Sequence, residues 1–109
     1  MVKRSKSKPR SSFDEKCYRI LSTVPRGRVT TYREIGRALG TKAYRAVGNA
    51  MGRNPYAPRV PCHRVVKVNG DIGGFMHGPK RKAELLRREG VAVAQGRVID
   101  FKKHLYQFR

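Results

Sequence analysis

Acidic residues are scarce in this chain: seven Asp and Glu stand against 26 Lys and Arg in 109 residues, a formal net charge of +19 at pH 7. Such an imbalance opposes compaction and favours a polyanionic partner. Nucleic acid is the first candidate and an anionic membrane surface the second. No long apolar run and no strongly amphipathic basic helix stands out, so no membrane partner is expected. Cysteine is limited to Cys17 and Cys62. Two cysteines make no disulfide framework and suggest a reducing compartment, the cytoplasm with its nucleoid or, in a eukaryote, the nucleus. His63, His77 and His104 are scattered and no C-x2-C occurs, which argues against a zinc site; no metal is expected. The basic N-terminus lacks a following apolar segment, so no signal peptide is read there. Apolar residues make up 39%, enough for one modest core in a single domain.

Residues 1–11 begin MVKRSKSKPR, with five basic residues and almost nothing apolar, and read as a disordered basic arm. The domain is expected over 12–109. Ser12-Phe13-Asp14-Glu15 fits a capping box. Phe13, Cys17, Ile20, Leu21 and Val24 then recur at helical spacing, which makes Cys17 an inert core residue. Pro25-Arg26-Gly27 ends that helix, and Arg28-Val29-Thr30 suits a short strand. Thr31-Tyr32-Arg33-Glu34 is a second capping-box pattern, opening a short helix with Ile35, Ala38 and Leu39 inward and Gly40 as its stop. Thr41 can cap a further helix over roughly 42–53, and the pair reads as a helix-turn-helix.

That further helix is rich in Ala and Gly, which let another backbone approach closely. Tight core packing and close approach to a nucleic-acid groove both explain this. From Ile35 to Gly70 there are seven Lys/Arg residues and no acid, so positive charge gathers around this helix and the Cys62-His63 segment. Val65, Val66 and Val68 before Asn69-Gly70 suggest a hairpin with a type I′ turn and Ile72 on its return. A helix spans Lys80–Glu89 with Leu85 and Leu86 inward. Val91–Val93 and Val98–Phe101 suggest a terminal hairpin, and Leu105, Tyr106 and Phe108 are free to dock. The expected fold class is mainly α with small β hairpins, a winged helix-turn-helix-like single domain.

Chemistry is concentrated in Pro61-Cys62-His63-Arg64. Proline restricts the backbone entering the cysteine, and a cysteine beside a basic group can be held partly as thiolate, the attacking form.

The chain resembles the DNA-binding and active-site domain of the O6-alkylguanine-DNA alkyltransferase family. The likeness rests on six blocks in the family's order: GRVTTYREI (27–35), RAVGNAM (45–51), NP (54–55), PCHRVV (61–66), GGF (73–75) and LLRREG (85–90). It implies DNA repair: a single-turnover transfer of an alkyl group from O6 of a flipped guanine to Cys62, on a monomer bound to double-stranded DNA containing O6-alkylguanine. No cofactor is needed, since the lesion supplies the alkyl group. By the same match His63 acts as base through water, Glu89 holds His63, Tyr32 helps turn the target phosphate of the DNA and gives a proton to the departing guanine, and Asn54 braces the active-site turn. Arg45 fills the vacated place in the duplex, while Ala46, Gly48 and Ala50 press into the minor groove. The Val65 carbonyl and Met76 amide contact the guanine edge, Phe75 lines the pocket and Lys82 supports it; Met51 reads as pocket wall or core. Plainer readings stand beside several of these: Arg45 as a phosphate contact, Tyr32 as a packed aromatic, Asn54-Pro55 as a helix stop. Two departures from the family pattern matter. The N-terminal domain many members carry is not found, and Phe75 stands where tyrosine is frequent. Alkyltransferase-like relatives, which bind the lesion without repairing it, typically have tryptophan at the reactive position; this chain has Cys62. The alternative expectation is such a lesion-binding protein.

Overall fold

The structure is a computed structural model that describes residues 12–75 and 77–108. The expected basic arm (1–11) and Met76 lie outside the described residues. Five helices are joined by short strands: α1 (Ser12–Leu21), β1 (Thr30–Thr31), α2 (Tyr32–Ala38), α3 (Tyr44–Gly52), a 3₁₀ turn (Cys62–Arg64), β2 (Val65–Val66), α4 (Pro79–Arg88), β3 (Val93–Ala94), β4 (Arg97–Val98) and α5 (Phe101–His104). This is the mainly helical class expected from the sequence.

Helix α1 buries Cys17, Tyr18 and Leu21, with Val24 continuing the same surface beyond its end. Asp14 is also buried, because both its oxygens accept from Arg53 just past α3, at 2.8 and 3.0 Å. The pair ties the first turn of α1 to the end of the helix-turn-helix. Thr31 caps α2 as expected, its hydroxyl accepting from the Glu34 amide at 3.0 Å. The Glu34 carboxylate turns instead to Arg37. Ala38, expected inward, is exposed, and Gly36 takes the inner position. Thr41 accepts from the amide of Ala43 one residue before α3, so that helix starts at Tyr44, later than expected.

The strand pairing differs from expectation. Val65 and Val66 pair in parallel with Thr30 and Thr31, not with the residues after Gly70. The chain does reverse there: Lys67 N–H donates to the Asp71 carbonyl at 2.8 Å and Gly70 N–H to Lys67 at 2.9 Å. A type I′ turn needs positive φ at both central residues. Gly70 has φ +92° but Asn69 is not left-handed, so the loop is the three-residue kind closed by a glycine. The two-residue primed turn occurs instead at Gln95-Gly96, with φ of 52° and 75°, joining β3 to β4. Left-handed Asp100 then stops β4, and Phe101 opens α5 in place of the expected strand.

Successive strand residues point to opposite faces. Val65 therefore joins a core formed by α1, α2 and α3, while Val66 joins a second with Val29, Leu86, Val91 and Val98. The β1–β2 pair is the shared wall. The C-terminal segment docks as expected: Val29 N–H donates to His104, Tyr106 N–H donates to Val29, and Tyr106 and Phe108 pack on the first core.

Gly36 sets the closeness of α2 and the start of α3. A Cβ there would lie 2.7 Å from two Tyr44 ring carbons and 3.0 Å from the Thr41 carbonyl. Alanine normally stabilises a helix over glycine by about 1 kcal/mol, and overpacking costs about 1–3 kcal/mol. Gly36→Ala is therefore predicted to lower the melting temperature. Gly52→Ala, whose Cβ would meet nothing within 4 Å, is predicted to leave it level or raise it. Calorimetry on both variants checks the contrast.

Candidate active site

Cys62 opens the 3₁₀ turn directly after Pro61 and is 5% exposed. The loop feeding it is braced by buried Asn54, whose amide donates to the Val60 carbonyl at 2.8 Å while its oxygen accepts from Tyr56 N–H at 2.9 Å. Asn54 thus does more than stop a helix: it spans the loop between α3 and the thiol. The thiol borders a cavity of about 290 Å³ lined also by Tyr32, Gly48, Met51, Gly52, Gly74 and Phe75. Tyr32 enters from the first turn of α2, Gly48 and Met51 from α3, and Phe75 from the loop before α4. Cys17 lies away in the first core, its thiol pushed up to about 11 by burial and by Asp14, with Arg53 opposing.

The 3₁₀ turn carries the next residue, His63, into the interior beside the end of α4. There His63 Nε2 donates to Glu89 Oε2 at 2.9 Å. A carboxylate only accepts, so the neutral ring carries its proton on Nε2 and leaves Nδ1 with a free lone pair. Nδ1 is buried and has no hydrogen-bond partner among the described residues. Burial pulls the ring below its ordinary 6.5; Glu89 opposes this, while Arg64 and Lys82 add to it. His63 is therefore a neutral base.

Arg64 has no role assigned from the sequence alone. In the structure its guanidinium grips Glu89 with both arms, Nε to Oε1 at 2.8 Å and Nη2 to Oε2 at 2.7 Å, and Nη1 donates to the Val24 carbonyl at 2.8 Å. The signal was present: a carboxylate at a helix C-terminus, opposed by the helix dipole, calls for a nearby cation. Burial pushes the Glu89 carboxyl up, but the hydrogen bonds from Arg64 and His63 outweigh it and hold it below the ordinary 4.5.

Lys82 is 1% exposed, its Nζ donating to the carbonyls of Val65 at 2.7 Å and Gly74 at 3.1 Å. Val65, whose carbonyl is expected to meet a guanine, is fully buried and is not among the residues lining the cavity; that carbonyl accepts from Lys82. Tyr32 is lifted above its ordinary 10.0, first by burial and then by Cys62, so it stays a protonated phenol. On α3, Arg45 is exposed and Ala46 and Gly48 are half-buried. Ala50 corrects the expectation of a groove contact: it is fully buried, its carbonyl accepting the Tyr18 hydroxyl at 2.8 Å. It lies one turn from Val47 and beside Met51, on the face of α3 turned to the core. Among the described residues no group of His, Cys, Asp and Glu could hold a metal ion.

Glu89→Gln leaves Arg64 without its counter-charge, and breaking a buried pair costs about 3–5 kcal/mol. Glu89 has a depressed folded-state value, so its contribution is complete above the ordinary 4.5 and is lost as pH falls through the lower folded value. The neutral form of His63 is likewise favoured, so stability also drops as pH falls below 6.5. The His63 loss occurs in both proteins, so the gap between wild type and Glu89→Gln is predicted to be wide at neutral pH and to narrow only below the ordinary 4.5, as Glu89 itself takes up a proton. Urea unfolding across that range tests it, and a gap that does not change with pH would contradict the assignment.

Residues 12–91 match the family described as 6-O-methylguanine DNA methyltransferase, DNA binding domain. A methylated-DNA–protein-cysteine methyltransferase of Saccharolobus islandicus is 44% identical over 78 residues, covering 72% of this chain and 50% of that protein. The crystal structure of O6-methylguanine-DNA methyltransferase from Pyrococcus kodakaraensis superposes with a TM-score of 0.69 at 49% identity, over 74% of this chain and 47% of that one. Atl1 of S. pombe, crystallised with damaged DNA containing O6-carboxymethylguanine, superposes with a TM-score of 0.80 at 30% identity, over 93% of this chain and 100% of that one. The chain spans half or less of the length of the curated relatives it matches first. Its motifs, its fold and these matches agree: the chain belongs to the family of the 6-O-methylguanine DNA methyltransferase DNA-binding domain.

Proposed function

We propose that this protein repairs O6-alkylguanine in double-stranded DNA by taking the alkyl group onto Cys62, once per molecule. The observation that carries the reading is a cysteine on the wall of a cavity, followed in sequence by a neutral histidine whose Nε2 is held by a clamped carboxylate. His63 Nδ1, through a water, receives the thiol proton. The thiolate attacks the alkyl carbon, the S–C bond forms as the C–O6 bond breaks, and the guanine anion takes a proton from the Tyr32 hydroxyl. Both ends of the step then have a partner. The resulting thioether is stable, so the protein is consumed.

The guanine must leave the base stack to reach the thiol, at a cost on the order of a few kcal/mol. Arg45, exposed on α3, is suited to fill the gap, and Ala46 and Gly48 give the helix a shallow surface for the groove. The excess of 26 basic over seven acidic residues supplies phosphate attraction, so binding should weaken steeply with salt. A second reading, a lesion-binding protein without transfer, draws support from Atl1, the whole of whose chain is covered by the superposition. Cys62 at the cavity weighs against it.

Incubation with an O6-methylguanine duplex is expected to add one methyl mass to the intact protein, mapped to Cys62 and lost in Cys62→Ser. Tight binding with no adduct would favour the second reading. Arg45→Ala is expected to slow transfer from duplex DNA more than from free O6-alkylguanine; equal losses on both would count against a role in base flipping.

A further inference from the structure

Lys82 is a buried cation that no carboxylate meets among the described residues. Its Nζ donates to two carbonyls, Val65 and Gly74, which solvate the ammonium but carry no net charge. A buried charge calls for a partner of opposite sign. Glu89, the carboxylate of the site, is already taken by Arg64 and His63. The groups that act on Lys82 are Cys62, which favours its protonated form, and Lys67, which opposes it; burial is the largest influence and brings the ammonium down to about 8. The placement agrees: Gly74 lines the same cavity as Cys62, and Val65 directly follows the 3₁₀ turn that carries the thiol. Of the other groups around Cys62, Tyr32 is a neutral phenol, and His63 is kept neutral by burial with help from Arg64 and Lys82.

We propose that Lys82 supplies the standing positive charge that balances the Cys62 thiolate from behind the cavity wall. His63 accepts the thiol proton, and Lys82 stabilises the anion left on sulfur. The same charge disfavours imidazolium at His63 in the resting site, so one ammonium keeps the base unprotonated until the step and offsets the negative charge left on sulfur once the thiol proton departs. The inference rests on the reading of Cys62 as nucleophile and is independent of which lesion it receives.

Iodoacetamide, a neutral electrophile, reports the thiolate without DNA. Lys82→Met is expected to slow carboxamidomethylation of Cys62 at pH 7 by about tenfold, the size of a one-unit shift in proton affinity, and to move the pH profile upward. Lys82→Arg, which keeps the charge, is expected to retain most of the rate. A wild-type profile in Lys82→Met overturns the proposal. So does equal slowing in both variants with the profile unmoved, which would mark Lys82 as a structural tie between two carbonyls. A second measurement needs no Lys82 variant. Coupling between two sites is reciprocal, so nitrogen NMR should show Lys82 releasing its proton at lower pH in Cys62→Ser than in the wild-type protein; an unchanged titration overturns the proposal. Neither readout uses alkylated DNA, so failure of alkyl transfer would count against the transferase reading and leave this result to be judged separately.

Discussion

A single carboxylate holds the site together. Glu89 sits at the C-terminal end of α4, where the helix dipole disfavours negative charge, and its side chain is largely out of solvent. It is kept ionised by Arg64, which closes on both its oxygens, and by the hydrogen bond from His63. That grip has three structural results. It joins the end of α4 to the 3₁₀ turn, it brings the third guanidinium nitrogen onto the Val24 carbonyl beyond α1, and it orients Oε2, which accepts from Arg64 and His63 together, to fix the tautomer of His63. A buried ion pair is weak evidence for net stability. Its worth here is positional, since two neighbours of Cys62 in one short turn are each locked to the same acid.

The same economy of acids runs through the chain. Asp14 is spent on Arg53, Glu15 on the Tyr56 hydroxyl, Glu34 and Glu84 on arginines one turn away, Asp71 on Arg97 and Glu89 on Arg64 and His63. Asp100 alone serves a backbone turn. Few negative charges are left to face outward, whereas arginines such as Arg33 and Arg45 remain exposed on the helix-turn-helix. A chain with this charge balance is eased by a polyanion, which links the composition to the cavity chemistry without appeal to any one contact.

Helical periodicity and turn chemistry were legible where they act locally. Thr31 as a cap, Gly40 as a stop, the inward stripe of α1 and the inert placing of Cys17 all depend on neighbours in sequence. What was not legible depends on distant partners. Val65 and Val66 read as half of a hairpin because their local pattern suits one, yet they pair in parallel with Thr30 and Thr31, a choice only the tertiary arrangement decides. Asn69-Gly70 looked like a primed turn because that dipeptide tolerates one, yet the true primed turn formed at Gln95-Gly96. Ala50 shares its composition with Ala46 but not its face. The Cys-His-Glu set was readable only through the motifs that carry the family likeness; Arg64 escaped because its role appears only once α4 brings Glu89 to it.

The cavity owes its shape to missing side chains. Gly48, Gly52 and Gly74 line it, and a Cβ on either of the last two would meet nothing within 4 Å. Its walls are therefore partly bare backbone. Backbone groups cannot swing away as side chains can, so a flat heterocycle entering here would face donors and acceptors fixed by the fold. Gly74 illustrates the consequence: it lines the cavity, and its carbonyl is held in place by Lys82 at 3.1 Å. On the role proposed for Lys82, the ammonium that fixes the Val65 and Gly74 carbonyls is also the charge behind the thiol, so the backbone of the wall and the charge at the nucleophile share one side chain.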